Sequence, residues 1–238
     1  MNQKSAELVV ATVQMTSVDD IEANFRQMEK ALEKAFIQER PRLVCFPENC
    51  LYLRLVEGEA VPGMELSHPI LLKLASLAKQ YDTHFHLGSV PLYLEGHLYN
   101  SSLLINPQGE IRPTYQKMHL FDIQLEGQKA FRESDVFRHG QHPHIIEVDG
   151  WRIGETICYD VRFAELFSQY ARKEVDVILV PAAFLVPTGQ AHWEVLLRAR
   201  AIESQVYIIA SAQGGVHKGV RSGQRETYGH SLVIEPWG

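Results

Sequence analysis

The sequence predicts a layered α/β fold, with helices outside and a mixed β-sheet or sheets inside. Three observations carry that reading. Short β-branched apolar runs alternate along the chain with segments whose apolar residues recur at helical spacing. Paired runs in the middle of the chain are joined by turn residues, which adds hairpins to the alternation. No internal repeat, low-complexity tract or linker interrupts the 238 residues, so a single domain spanning 1–238 is the simplest organisation.

Leu8 to Val13 is a β-branched run that reads as the first strand. Asp19-Asp20-Ile21-Glu22 then supplies a capping box for a helix whose buried stripe is Ile21, Phe25, Met28, Leu32 and Phe36. Leu43 to Phe46 is a second, short strand. Ser67 and Pro69 open another helix, because proline suits a first helical position that needs no amide donor; its stripe is Ile70, Leu74, Leu77 and Tyr81. Phe85 to Val90 is the next strand. Leu98 to Ile105 and Ile111 to Tyr115 form a hairpin through Asn106-Pro107-Gln108-Gly109. Arg152 to Ile157 is a strand, and Asp160 to Lys173 a helix with Val161, Ala164, Leu166, Phe167 and Tyr170 at helical spacing. Val175 to Val180 has the continuous apolar character of a strand buried on both faces. Ala191 to Ser204 reads as a helix and Gln205 to Ala212 as a strand. Gly214 to Glu226, rich in glycine and charge, predicts a surface loop able to cover a pocket, before a strand from Gly229 to Ile234. Glu235-Pro236-Trp237-Gly238 reads as a turn that should lead into another strand.

Bulk composition narrows the function classes. Hydrophobic content of 45%, charged content of 22% and a formal net charge of -6 describe an ordinary globular protein and disfavour nucleic acid as a partner. The first residues lack an apolar signal core, and no stretch approaches the roughly 20 apolar residues that cross a bilayer. A cytoplasmic location without a membrane partner is expected. The three cysteines, Cys45, Cys50 and Cys158, are odd in number and form no CxxC pair, which argues against a disulfide framework. The eleven histidines are scattered, and neither His84 with His86 nor His142 with His144 has a zinc-motif spacing, so no metal is expected.

Three titratable residues stand just beyond predicted strands, where α/β sheets build their sites. Cys158 lies on the turn between the strand ending at Ile157 and the helix after it. Unpaired amides at a helix start favour a thiolate, so the turn is expected to lower the thiol's pKa; on this segment alone a buried structural cysteine also fits. Glu48 follows an apolar strand and Pro47, where a charge is costly unless paired or used. Lys117 follows the hairpin and by itself reads as a surface charge. In combination the three can perform acyl transfer. Cys158 attacks a carbonyl carbon, while Lys117 and the Tyr159 amide offset the charge on the tetrahedral oxygen. Glu48 takes the thiol proton, gives it to the departing ammonia or amine, and activates the water that hydrolyses the thioester. None of these steps needs a cofactor.

The chain resembles the nitrilase, or carbon-nitrogen hydrolase, superfamily over essentially its whole length. The residues that carry the resemblance are Phe46-Pro47-Glu48, Tyr115-Gln116-Lys117-Met118-His119-Leu120, Gly154 to Leu166 around Cys158, and His192-Trp193-Glu194 through Glu203. The resemblance implies a four-layer αββα sandwich of two mixed sheets covered by helices. It also implies a catalytic triad of Glu48, Lys117 and Cys158, with Glu133 as a second glutamate that positions the lysine or the substrate. Cys158-Tyr159-Asp160 with Arg162-Phe163 and Ala191-His192-Trp193-Glu194 are similar to the Nit-type amidases. The implied reaction releases ammonia from the amide of a small carboxylic or 2-oxo acid through a cysteine thioester. Deaminated glutathione amidase is the preferred branch; omega-amidase, nitrilase and carbamoyl-amide hydrolase are its neighbours, and a silent binding protein of the same fold is the competing class. The resemblance implies a homodimer or larger homo-oligomer, and by its standard the usual C-terminal strand and tail are missing.

Further residues have mixed readings. Tyr159, Arg162, Phe184, Thr188 and His192 are candidates for binding a small-molecule amide. Arg162 fits pairing with a carboxylate near the site, or neutralising a substrate carboxylate. Phe184 fits packing as well. Asp160 fits helix capping, His119 an ordinary hydrogen-bonded histidine, and Trp193 a core or subunit contact.

Overall fold

The structure, a computed structural model, describes residues 4–123, 131–220 and 223–238. Its elements begin with β1 (Val10–Thr12), α1 (Ile21–Gln38), β2 (Leu43–Cys45), α2 (Pro69–Tyr81), β3 (His84–Leu94), β4 (His97–Ile105), β5 (Ile111–Gln116), β6 (Asp122–Ile123) and β7 (Phe131–Arg132). They continue with β8 (Ile145–Val148), β9 (Trp151–Glu155), α3 (Ala164–Arg172), β10 (Val177–Leu179), α4 (Val186–Ser204), β11 (Tyr207–Ala210), β12 (Gly214–Lys218), β13 (Gln224–Tyr228) and β14 (Leu232–Ile234).

Two five-stranded mixed sheets organise the chain, one in the order β1-β2-β3-β4-β5 and the other β14-β11-β10-β9-β8. β1, β2 and β3 run parallel, and β4 and β5 add antiparallel hairpins. In the second sheet β9, β10 and β11 are parallel, flanked by antiparallel β8 and β14. Because side chains alternate across a strand, consecutive residues serve different cores. Leu43 and Cys45 pack with Ile146, Val148, Ile153, Val177, Leu179 and Ile209 between the sheets. Val44 and Phe46 point the other way, into the cluster with Phe25, Met28 and Leu32 of α1 and Ile70 and Leu74 of α2. Ile178 and Ile208 likewise leave the middle layer to meet Phe167, Trp193 and Leu197 of α3 and α4. The result is the four-layer αββα sandwich, and burial on both strand faces explains the continuous apolar runs.

Several boundaries differ from the sequence reading. Asp20 caps α1 by accepting from the Ala23 amide at 2.6 Å, and no reciprocal bond forms because the third helical residue is alanine, so the motif is a single cap. His68, and not Ser67, caps α2, through Nδ1 and the Ile70 amide at 3.2 Å. β3 and β4 form one long hairpin turned by Glu95 and Gly96, both at positive φ, which the internal Pro91 hides in the sequence. α4 starts at Val186 because Pro187 sits in the first turn, where a missing amide is tolerated. Gly189 is needed there: an added Cβ would stand 2.3 Å from Tyr228 Cγ. The predicted surface loop over 214–226 is instead the β12–β13 hairpin, with His217 buried, bonding the Ser17 carbonyl and Thr227; residues 221–222 lie outside the described residues. β8, absent from the sequence reading, pairs with β9 along Ile145–Val148.

Candidate active site

Strand ends from both sheets meet at one place. β2 runs out through Phe46, whose amide donates to the His86 carbonyl at 2.9 Å, and the rigid Pro47 delivers Glu48. β5 ends at Gln116, and the next amide, Lys117 N–H, donates to the Asn100 carbonyl at 2.9 Å. β9 leads to Cys158, whose amide donates to the Pro181 carbonyl at 2.8 Å and whose φ is 50°. A non-glycine residue in that region is sterically strained, a condition that clusters at functional sites. A 3-10 turn, Cys158–Arg162, joins this point to α3.

The charges are arranged in a chain. Lys117 Nζ lies 2.7 Å from Glu48 Oε1 and 2.9 Å from Glu133 Oε2. Glu48 Oε2 accepts the Ala183 amide at 2.8 Å, and Glu133 Oε2 accepts the Phe121 amide at 2.7 Å. Burial would raise the Glu48 pKa, yet the charge and hydrogen bond of Lys117 outweigh it and hold the carboxyl below its usual value. For Lys117 burial acts downward, but Glu133 and Glu48 lift the ammonium well above its ordinary value, so it is a fixed cation. The thiol does not follow the sequence expectation. Burial, followed by the Glu48 charge, pushes Cys158 well above the ordinary thiol value, against the smaller opposing pulls of Lys117 and the Ala183 backbone. At rest the site therefore holds a neutral thiol and an ionised carboxylate in one cavity.

Asp160 fastens two of these segments together. It accepts from the Ile157 amide at 2.8 Å and the Tyr115 hydroxyl at 2.8 Å, and from the His119 amide at 3.0 Å. His119 Nδ1 lies 2.7 Å from the same carboxylate, and its ring stacks on Phe163. Asp160 thus braces the turn before the thiol against the segment after the lysine, and His119 is engaged in that brace.

The sequence matches the carbon-nitrogen hydrolase family over residues 9–238. The chain belongs to the carbon-nitrogen hydrolase family. A deaminated glutathione amidase of Synechocystis is 36% identical over 239 residues, covering 97% of this chain and 85% of that protein. One from Yersinia enterocolitica is 34% identical over 234 residues, covering 96% and 80%. The crystal structure of the Caenorhabditis elegans NitFhit protein superposes with a TM-score of 0.84 at 33% identity over 98% of this chain, which spans 57% of that longer protein.

In this carbon-nitrogen hydrolase, Glu48, Lys117, Glu133 and Cys158 line one cavity together with Tyr159, Arg162, Phe184, Thr188, Arg54 and Arg225. Five of the residues singled out in the sequence beside the three strand-end groups are therefore brought to it. His192 is not: it is exposed on α4 and outside the lining, with Nδ1 3.3 Å from an Arg162 nitrogen. Arg162 makes no ion pair with a carboxylate among the described residues, and its guanidinium lies over the Tyr159 and Phe184 rings. Phe184 also packs on Trp193, centroids 4.8 Å apart. Thr188 donates to the Leu185 carbonyl at 3.2 Å. Sequence reasoning missed Arg225, because it lay in the segment taken as a solvated loop, and Asn100, because an asparagine within an apolar strand carries no local signal. Cys45 and Cys50 are buried and neither lines the cavity. Among the described residues no group of three or more His, Cys, Asp or Glu side chains is arranged to hold a metal ion, and no helix is long and apolar enough to cross a membrane.

Proposed function

We propose that this carbon-nitrogen hydrolase cleaves the amide of a small 2-oxo or dicarboxylic acid through a thioester on Cys158. The observation that carries the reading is a neutral thiol, an ionised glutamate and a fixed ammonium lining one cavity. Cys158 Sγ attacks the amide carbon as its proton passes to Glu48, so the thiol needs no resting thiolate. The carbonyl oxygen becomes an oxyanion facing Lys117 and the Tyr159 amide. Glu48 returns the proton to the leaving nitrogen, and the carbon-nitrogen bond breaks. A water then loses a proton to Glu48 as it attacks the thioester, the carbon-sulfur bond breaks, and Glu48 passes the proton to the Cys158 sulfur as the acid leaves. Glu133 keeps Lys117 oriented throughout.

The acyl group is the finer part of the proposal. Arg162 and Arg225 line the cavity with Lys117, as does Arg54, itself paired with Glu57 at 3.1 Å, and this cationic lining favours a substrate bearing carboxylate. Deaminated glutathione meets that demand, as the names of the relatives suggest, and 2-oxoglutaramate presents the same acyl group. Ammonia leaves only from the latter; the former releases a dipeptide amine. Purified protein should form 2-oxoglutarate from at least one of them and show a 2-oxoglutaryl adduct by intact mass, absent from Cys158→Ala. No product from either substrate, or equal masses, overturns the proposal. The single-domain organisation, cytoplasmic location and homodimer or larger homo-oligomer remain parts of this proposal, and a monomeric mass by light scattering would remove the last.

A further inference from the structure

Asn100, on β4, is 1% exposed and bonds to Lys117, Glu48 and Glu133. Its backbone carbonyl accepts the Lys117 amide at 2.9 Å. Its side-chain nitrogen donates one hydrogen to Glu48 Oε1 at 3.2 Å and the other to Glu133 Oε1 at 2.7 Å. The orientation of the amide is fixed by those neighbours, since the reverse would set its oxygen against two carboxylates. The oxygen, Oδ1, is buried with no hydrogen-bond partner among the described residues. An orphaned acceptor is unfavourable, so the arrangement favours delivering two hydrogens to the carboxylates over satisfying the amide itself.

Charge balance gives the reason. Glu48 and Glu133 carry two buried negative charges, which Lys117 pairs with directly and Arg225, in the same cavity, offsets. A further cation hydrogen-bonded to Glu48 would weaken it as a base. A neutral double donor stabilises both carboxylates and leaves that basicity largely in place.

We propose that Asn100 is a positioning residue, which spaces Glu48 and Glu133 about Lys117 and holds Glu48 in place for the Cys158 thiol. This rests on the reading of Glu48 as the base. Asn100→Asp keeps the shape but puts a third carboxylate where two hydrogens were donated. Asn100→Leu keeps most of the volume and donates nothing, and Asn100→Ser keeps one donor.

The test is the pH dependence of kcat and kcat/KM on 2-oxoglutaramate for these variants and the wild type, with melting temperatures recorded in parallel. Asn100→Asp should move the acid limb of kcat/KM upward by about one pH unit or more, as paired carboxylates do. Asn100→Leu should lower kcat about 100-fold with KM changed less than about threefold, the penalty expected of a displaced reacting group. Asn100→Ser should fall between. Losses that merely follow the folded fraction, with the acid limb unmoved, overturn the inference. The wild type supplies a readout that no folding failure can remove: the Asn100 side-chain amide resonances should titrate with the same midpoint as the acid limb, and resonances that stay fixed across it also overturn the inference. The parent reading fails separately, if no acyl adduct forms on Cys158 of the wild type or if Glu48→Gln keeps full activity.

Discussion

Lys117 and Glu48 form an ion pair of 2.7 Å with side chains only 2% and 4% exposed. A buried pair of this kind contributes little by simply existing, and much when one partner is removed. Lys117→Met leaves Glu48 and Glu133 without the ammonium that pairs with both and should destabilise the fold by about 3–5 kcal/mol. Glu48→Gln leaves the ammonium paired with Glu133 at 2.9 Å, so stability should fall less, while kcat should drop about 100- to 10,000-fold with loss of the proposed base. Urea denaturation and steady-state kinetics on the two variants separate these outcomes. Equal stability losses would contradict the arrangement of charges.

Alkaline pH should destabilise the protein through its thiols. Burial raises Cys50 to about 12 and pushes Cys45 and Cys158 upward as well, so the folded state binds these three protons more tightly than the unfolded chain. That stability is fully present below the unfolded thiol value of about 8.5 and declines as pH rises above it, by up to about 1.4 kcal/mol per pH unit for each thiol. Denaturation midpoints between pH 7.5 and 10 should fall, and the slope should be shallower in a variant with all three cysteines replaced by alanine. An unchanged slope would show that other groups govern the alkaline limit.

At acid pH the sign reverses. Glu48 and Glu155 are held below the ordinary carboxylate value, Glu48 against burial by Lys117 and Glu155 against burial by His144 and His86. Their contribution is present above about pH 4.5 and is lost as pH falls through the folded-state values. Glu155→Gln should therefore flatten the acid limb of the stability profile without altering the base-dependent limb of activity. A steep acid limb surviving in that variant would assign it to other carboxylates.

Arg225 lines the cavity from the β12–β13 hairpin, and Arg162 lines it from the turn after Cys158. If either guanidinium receives the substrate carboxylate, Arg225→Gln or Arg162→Gln should raise KM for 2-oxoglutaramate about 10- to 100-fold, the range of a charge-assisted hydrogen bond. KM for a neutral amide such as propionamide should stay within about twofold. Equal effects on both substrates would assign the arginines to structure.

Gly88 is a steric gate between the sheets at the site. An added Cβ would lie 2.2 Å from the Phe46 carbonyl oxygen and 2.4 Å from Pro181 Cβ, on the two segments that deliver Glu48 and hold the Cys158 amide. Gly88→Ala should destabilise by about 1–3 kcal/mol or more, since backbone cannot yield as a flexible side chain does. A wild-type melting temperature in that variant would refute the close approach.

Much of the architecture was legible because both faces of the central strands are buried, and long apolar runs such as Val175 to Val180 survive in the sequence as a plain signal. Boundaries were less legible where a local breaker is tolerated by its place in the fold, as Pro187 is in the first turn of α4 and Pro91 within β3. The 214–226 segment misled because glycine and charge describe a solvated loop equally well, and only pairing with its neighbour made it a hairpin. Cys158 misled in the opposite sense: position on a turn argues for a thiolate, but desolvation and a nearby carboxylate depend on what packs around it.

By itself the sequence determined the alternating α/β pattern and the residue types at three strand ends, Glu48, Lys117 and Cys158, because periodicity and punctuation are local properties. The tertiary structure alone decided that these ends converge, that Asn100 joins Glu133 in the charge cluster, that Arg225 reaches the cavity and that His192 does not. Those relations join residues as far apart as Glu48 and Ala183. Their energies come from burial and distance, which exist only once the two sheets have packed.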